Sequence, residues 1–151
     1  MIKKILAAID GSDHAWKALD LATEMAEQHK AELLILHVIP YQELPEALHQ
    51  FTEIEHVPLD EERARYHYAK TLGDGLTQEA EARVRSKGLA AVSAQTAEGK
   101  PADVILEIAK SEAADTIVLG GRGVGYVLGM LLGSVSHRVA NLSDVTCIVV
   151  K

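Results

Sequence analysis

The sequence predicts an α/β fold in which a doubly wound, five-stranded parallel sheet carries helices on both faces. Short and nearly continuous apolar runs are typical of strands that are covered on both faces. These runs alternate along the chain with segments of helical periodicity, which indicates parallel strands joined by right-handed crossovers. The length of 151 residues is close to the commonest domain size, so we expect a single domain over residues 1–151.

The first half of the chain contains two predicted strands with a helix between them. We expect a strand at residues 3–9, a helix at 15–26, a second strand at 33–39, and a loop with one helical turn at 40–59. Asp10-Gly11-Ser12-Asp13 supplies turn and helix-capping residues after the first strand. Pro40 closes the second strand, and two further prolines favour the loop that follows.

The second half repeats the alternation of helix and strand. We expect helices at residues 60–87, from Pro101 onward and at 134–141, with strands at 89–97, 116–119 and 145–150. The first of these helices carries the apolar stripe Ala69, Leu72, Leu76, Ala80 and Val84. Gly73-Asp74-Gly75 interrupts that stripe, and because each glycine costs about 1 kcal/mol in a helix, a bend or break is expected there. Gly88 suits the end of this helix, and proline suits the first position of the next.

Composition and charge exclude several classes of function. The chain has 15 Lys and Arg against 22 Asp and Glu, a net charge of -7, and aromatic residues make up 4%. These values argue against nucleic-acid binding, which needs a basic surface and stacking side chains. The apolar runs are shorter than the roughly 18 residues that a membrane span requires, so no membrane association is expected. The single cysteine, Cys147, and the short apolar run at the start of the chain favour a cytoplasmic protein without an internal disulfide.

Unusual residues follow two of the predicted strands. In open parallel sheets, ligands bind beyond the carboxyl ends of the strands, where the winding direction reverses. The first strand ends in Asp10-Gly11-Ser12, and the fourth is followed by residues 120–134, which hold six of the 11 glycines. Glycine lets the backbone approach a ligand, and Gly133-Ser134 opens a helix whose free N–H groups favour an anion. We therefore expect unpaired amides around residues 120–134 that favour an anionic ligand.

The charge pattern supports an anionic ligand at the same place. Residues 116–143 contain no Asp or Glu, whereas Arg122, His137 and Arg138 lie among them. An acid-free segment in an acidic protein favours an anion. A glycine-rich loop beside a buried strand would also lack acids, so composition alone leaves phosphate binding and a purely structural loop both open.

Two common phosphate-binding motifs do not fit this segment. A P-loop, GxxxxGK(S/T), starting at Gly120 would need lysine at the position of Tyr126. A dinucleotide-binding GxGxxG would need glycine at position 126 or 128, where Tyr126 and Leu128 stand, and it belongs after the first strand.

The same residues resemble the nucleotide-binding branch of the universal stress protein family, and the resemblance extends over essentially the whole chain. That branch carries G-x2-G-x9-G-(S/T), which Gly120, Gly123, Gly133 and Ser134 match in spacing. Residues 3–12, 36–39 and 147–150 resemble the family's first, second and last strands. The chain departs from the family in its extra glycines and in a strongly apolar stretch at 124–132; the extra glycines are Gly121, Gly125 and Gly129.

The resemblance implies a fold, a ligand and an assembly. It implies the strand order 3-2-1-4-5 of the adenine nucleotide alpha hydrolase-like fold, ATP with Mg²⁺ or Mn²⁺ bound through its phosphates, and a homodimer along the last strand. Val38 would contact adenine, and Asp10 would lie near the ribose or the metal-bound phosphates. The full set implied to contact nucleotide is Ala8, Asp10, Val38, Gly120, Arg122, Gly123, Gly133, Ser134, Val135 and Ser136. No catalytic residue and no protein ligand to a metal is predicted.

The interpretation as a whole is an ATP-binding regulatory protein of the stress response that hydrolyses ATP slowly at most. Slow hydrolysis is expected because neither a loop lysine nor an evident general base is present in the sequence. Two alternatives stay open. One is a metal-dependent nucleotide hydrolase that uses Asp10. The other is a dimeric interaction module of the same fold whose site is empty or takes a cyclic nucleotide, which the apolar stretch at 124–132 motivates.

Overall fold

The computed structural model describes residues 1–40, 61–124 and 132–151. In these ranges the chain forms nine elements: β1 (Lys4–Ala8), α1 (Asp13–His29), β2 (Glu32–Ile39), α2 (Glu61–Ser86), β3 (Val92–Glu98), α3 (Pro101–Ser111), β4 (Thr116–Gly120), α4 (Ser134–Leu142) and β5 (Thr146–Val150). The five strands pair in parallel in the order β3-β2-β1-β4-β5, which confirms the predicted fold. The loop predicted at 40–59 lies outside the described residues, apart from Pro40.

Both faces of the sheet are covered by helices, which explains why its central strands are continuously apolar. Along β1, Ile5 and Ala7 point toward a core built with α1 and α2, whereas Leu6 and Ala8 point toward a second core built with α3 and α4. Ile5, Leu6 and Ala7 are fully buried. Among the described helices, none is long and apolar enough to cross a membrane.

Helix α2 runs without interruption through Gly73-Asp74-Gly75, so the break expected there is wrong. A Cβ added to Gly73 would lie 2.9 Å from Cδ2 of His37 and 3.3 Å from Cγ2 of Thr96. Glycine at this position therefore lets α2 lie close against β2 and β3. The hydroxyl of Thr77 donates to the carbonyl of Gly73 at 3.0 Å, and packing on the sheet outweighs the poor helix propensity of glycine.

Other boundaries differ by a few residues. β3 begins at Val92 and not at residue 89, because a tight turn precedes it in which the amide of Val92 donates to the carbonyl of Ala90 at 2.9 Å. The guanidinium of Arg85 also binds the carbonyls of Ala90 and Val92. Gly88 has φ +102°, which fits its predicted place after the helix end. Pro101 opens α3 as expected.

The carboxyl ends of the strands and the starts of three helices meet at one edge of the sheet. Beyond the end of β1, the amide of Ile9 donates to the carbonyl of Leu36 in β2 at 2.8 Å. Beyond β4, the amide of Gly121 donates to the carbonyl of Val150 in β5 at 2.6 Å. Helices α1, α3 and α4 all begin after strands that end at this edge. The sheet therefore brings the Asp10 turn and the glycine-rich segment together.

Candidate functional site

A cavity of about 460 Å³ lies across the carboxyl ends of β1, β2 and β4. It has the size and position of ligand sites in open parallel sheets. Every residue implied to contact nucleotide lines this cavity: Ala8, Asp10, Val38, Gly120, Arg122, Gly123, Gly133, Ser134, Val135 and Ser136. Their contact with a nucleotide stays a prediction.

The Asp10 carboxylate joins the two loops at this edge. Oδ1 accepts hydrogen bonds from the backbone N–H of Ser12 at 3.0 Å and from its hydroxyl at 2.6 Å. Oδ2 accepts the backbone N–H of Val124 at 3.1 Å, 114 positions away in sequence. The carboxylate thus connects the turn after β1 with the loop after β4.

Ser12 is a site residue that the sequence did not single out. Its side chain accepts the N–H of Ala15 at 3.3 Å as the N-cap of α1. Its Oγ also lies 3.3 Å from the carbonyl oxygen of Arg122, but its single proton is donated to Asp10 at the shorter distance of 2.6 Å. In the sequence, Asp10-Gly11-Ser12 indicates a turn and a helix cap, and it gives no signal of this approach to the loop after β4.

The start of α4 presents free amides to the cavity. Gly133 is the N-cap, Ser134 is the first helical residue, and no side chain caps the helix. Within the described part of the chain, the first-turn amides of Ser134, Val135 and Ser136 have no partner. Because these N–H groups and the helix dipole point outward at the start of a helix, this end favours an anion.

Several described amides between residues 120 and 134 are bonded within the protein. The amide of Gly121 donates to β5, that of Gly133 donates to the carbonyl of Gly121 at 2.6 Å, and that of Val124 donates to Asp10. The buried hydroxyl of Ser136 also contacts the carbonyl of Gly121 at 3.0 Å. These bonds fix the described part of the loop against α4, where the first turn of the helix offers the amides of Ser134, Val135 and Ser136.

The opposite part of the cavity is apolar. Val38 and Leu36 come from β2, Ala8 and Leu119 from the neighbouring strands, and Pro101 and Ile105 from α3. The sequence missed a further wall, formed by Ala69, Leu72 and Leu76 of α2. Their helical spacing predicted core packing, yet Leu72 is 58% exposed. Periodicity identifies an apolar face of a helix but does not distinguish contact with a core from contact with a cavity.

His37 of β2 also lines the cavity. Its Nδ1 lies 2.9 Å from the carbonyl oxygen of Ile9, so Nδ1 carries the proton and donates to that oxygen. Among the described residues, no group of three or more His, Cys, Asp or Glu side chains could hold a metal ion.

Known proteins resemble this chain over its whole length. Residues 1–151 match the model of the universal stress protein family. The chain is 40% identical to universal stress protein YxiE of Bacillus subtilis over 156 aligned positions, which cover 100% of both chains. Hypothetical protein MJ0577 superposes with a TM-score of 0.80 at 26% identity, covering 100% of this chain and 96% of that one. A universal stress protein solved in complex with cAMP has a TM-score of 0.67 at 25% identity, covering 99% and 96%.

Proposed function

The chain belongs to the universal stress protein family, and from this premise we propose that it is a regulatory protein that binds ATP at the carboxyl edge of its sheet. One observation carries the proposal. One cavity has an apolar part around Val38 and an uncapped helix start at Gly133, and all ten residues implied by the family resemblance line it. An apolar wall suits a flat base, and free N–H groups suit phosphates.

The divalent metal of the proposal, Mg²⁺ or Mn²⁺, is held through the phosphates. The residues near the cavity fit this arrangement, because Asp10 provides one carboxylate at the junction of the two loops. Such an ion neutralises phosphate charge when it is bound. The amides at the start of α4 and the positive charge of Arg122 would stabilise the phosphate charge that the ion leaves uncompensated.

The arrangement of Asp10 favours binding over fast hydrolysis. Both of its oxygens accept hydrogen bonds, from Ser12 and from Val124. A carboxylate held in this way is poorly placed to take a proton from an attacking water. We infer slow ATP hydrolysis at most, and turnover faster than about 1 per second would instead favour the metal-dependent hydrolase.

A cyclic adenine nucleotide is the second candidate ligand. The observation that favours it is the similar universal stress protein that was solved in complex with cAMP. A cyclic nucleotide has one phosphate and could use the same apolar wall, but it would leave part of the first turn of α4 unused.

The sheet edge at β5 supports the proposed homodimer. β5 is the last strand in the sheet order, and four of its residues are half-buried: Cys147, Ile148, Val149 and Val150. An edge strand with partly exposed apolar side chains can pair with a second copy. A cytoplasmic location belongs to the same proposal.

Calorimetric titration of the full chain with ATP, cAMP and adenosine tests the ligand. We expect ATP with Mg²⁺ to bind about tenfold or more tightly than adenosine, because each charge-assisted hydrogen bond is worth about 1.5–3 kcal/mol and 1.4 kcal/mol is a factor of ten. Tighter binding of cAMP than of ATP would assign the site to the cyclic nucleotide. Saturable binding of none of the three would contradict the nucleotide site and favour the interaction module.

A further inference from the structure

The glycines of the G-x2-G-x9-G-(S/T) motif occupy three different environments. A Cβ added to Gly123 would lie 2.5 Å from Oδ2 of Asp10. A Cβ added to Gly120 would lie 2.8 Å from the backbone nitrogen of Ala15 in α1. A Cβ added to Gly133 would meet its nearest neighbour, the carbonyl oxygen of Gly121, at 3.5 Å, which is an ordinary contact distance. A side chain would therefore meet backbone at position 120, only the end of the Asp10 side chain at position 123, and nothing closer than ordinary contact distance at position 133.

We propose that Asp10 is a positioning residue, and that position 123 is glycine because the Asp10 carboxylate occupies the space of a Cβ. Gly123 and Asp10 then form one unit, in which the carboxylate bonds the N–H of Val124, the residue after Gly123. This inference rests on the proposed nucleotide site, since it assigns Asp10 an action on the ligand through the loop.

The carboxylate cannot move aside for a methyl group without losing its bonds. Its Oδ1 is held by two donors of Ser12, and Ser12 caps α1. Its Oδ2 is the atom that a Cβ at position 123 would displace, and it is also the acceptor for Val124. A methyl group at position 123 and removal of the carboxylate therefore share one consequence, because the hydrogen bond from the Val124 N–H to Asp10 is lost in both cases.

The loop that Asp10 holds is continuous with the anion-binding end of the cavity. The N–H of Val124 donates to Asp10, and the carbonyl of Gly121 accepts the amide of Gly133. Asp10, the loop after β4 and the first turn of α4 are thus linked through hydrogen bonds before any ligand arrives. Fixing a site in its binding geometry raises affinity by lowering the cost of ordering it.

Two explanations of the glycine at position 123 can be compared: a side chain there would meet the Asp10 carboxylate, or it would meet the ligand. A double-mutant cycle distinguishes them. The four proteins are the wild type, Asp10→Ala, Gly123→Ala and the double variant. Urea unfolding and ATP titration are measured on each full-length protein, and the unfolding series contains no nucleotide. Residues in direct contact are coupled, whereas independent sites are additive.

We expect Gly123→Ala to lower the unfolding midpoint and to raise the Kd for ATP about tenfold in the wild type, but to have little effect in the Asp10→Ala background. Asp10→Asn, which keeps one acceptor oxygen, should fall between the wild type and Asp10→Ala in both measurements. Equal effects of Gly123→Ala in both backgrounds would overturn the proposal.

Two controls complete the design. Gly133→Ala should leave the unfolding midpoint unchanged and weaken ATP binding, because its methyl group meets the ligand and not the protein. Gly75→Ala has nothing within 4 Å of its Cβ and should not change ATP affinity. If neither the wild type nor any variant binds ATP, the proposed function fails. Urea unfolding of the four proteins still tests the present inference, because it shows whether the effect of Gly123→Ala depends on the Asp10 carboxylate.

Discussion

Replacing Gly133 by valine and Ser134 by alanine in the same chain should abolish measurable ATP binding while the protein stays folded. Gly133 has φ −71° and ψ 164°, an extended conformation that valine adopts without strain. Its Cβ would have ordinary contact distances of 3.5 to 3.7 Å to residues 121–123. The two methyl groups of valine would then occupy the space in front of the first-turn amides of α4.

The expected loss is large because the phosphates would lose several charge-assisted contacts together. Loss of two such hydrogen bonds raises Kd by a factor of about 100 or more. Equilibrium binding of a fluorescent ATP analogue measures the loss, and a circular dichroism spectrum establishes that the fold is retained. Gly75→Ala is the matched control, since it changes a glycine on the surface of α2 away from the cavity. Unchanged affinity in the Gly133→Val, Ser134→Ala protein would show that the start of α4 does not bind the phosphates.

Gly120→Val should destabilise the fold itself by about 3 kcal/mol, the upper part of the usual range for overpacking. The atoms that a Cβ would meet are the backbone nitrogen of Ala15 and the carbonyl carbon of His14, both at 2.8 Å. Backbone atoms in the first turn of α1 cannot rotate away as a long side chain can. β4 and α1 would have to move apart, and this would loosen the part of the core that lies between them.

Thermal unfolding without nucleotide measures this effect, and the midpoint should fall by about 6–12 °C for a chain of this size. Gly120→Ala places one carbon at the same point and should show a smaller fall in the same direction. A midpoint within about 1 °C of the wild type for Gly120→Val would show that α1 and β4 adjust freely and that this glycine has another role.

Much of the fold could be predicted because apolar strands that alternate with helical segments are typical of a parallel sheet with helices on both faces. Continuous apolar strands require helices on both faces, and helical periods between strands require parallel pairing. The pattern could not show that α2 continues through Gly73. The helix continues there despite the low helix propensity of glycine, because Gly73 packs closely against His37 and Thr96. Propensity is local, whereas the contact that overrides it joins residues far apart in sequence.

The candidate site was predictable to a similar degree and for a similar reason. The glycines of the motif stand out in a sequence, and the residues that the family resemblance implies line one cavity. Ala69, Leu72 and Leu76 did not stand out, because an apolar wall of a cavity has the same composition as a core. Spacing also could not reveal that Gly120 and Gly123 are constrained by α1 and by Asp10, since those distances exist only in the folded chain.

The most direct test of the central claim is an amide NMR titration of the full chain with ATP and Mg²⁺. We expect saturable shifts of the backbone N–H signals of Ser134, Val135 and Ser136, with slowed hydrogen exchange at the same three positions. Adenosine, which lacks phosphates, should move signals near Val38 and leave those three amides unchanged. If ATP saturates the protein without shifting Ser134, Val135 and Ser136, the first turn of α4 is not where this protein holds an anion.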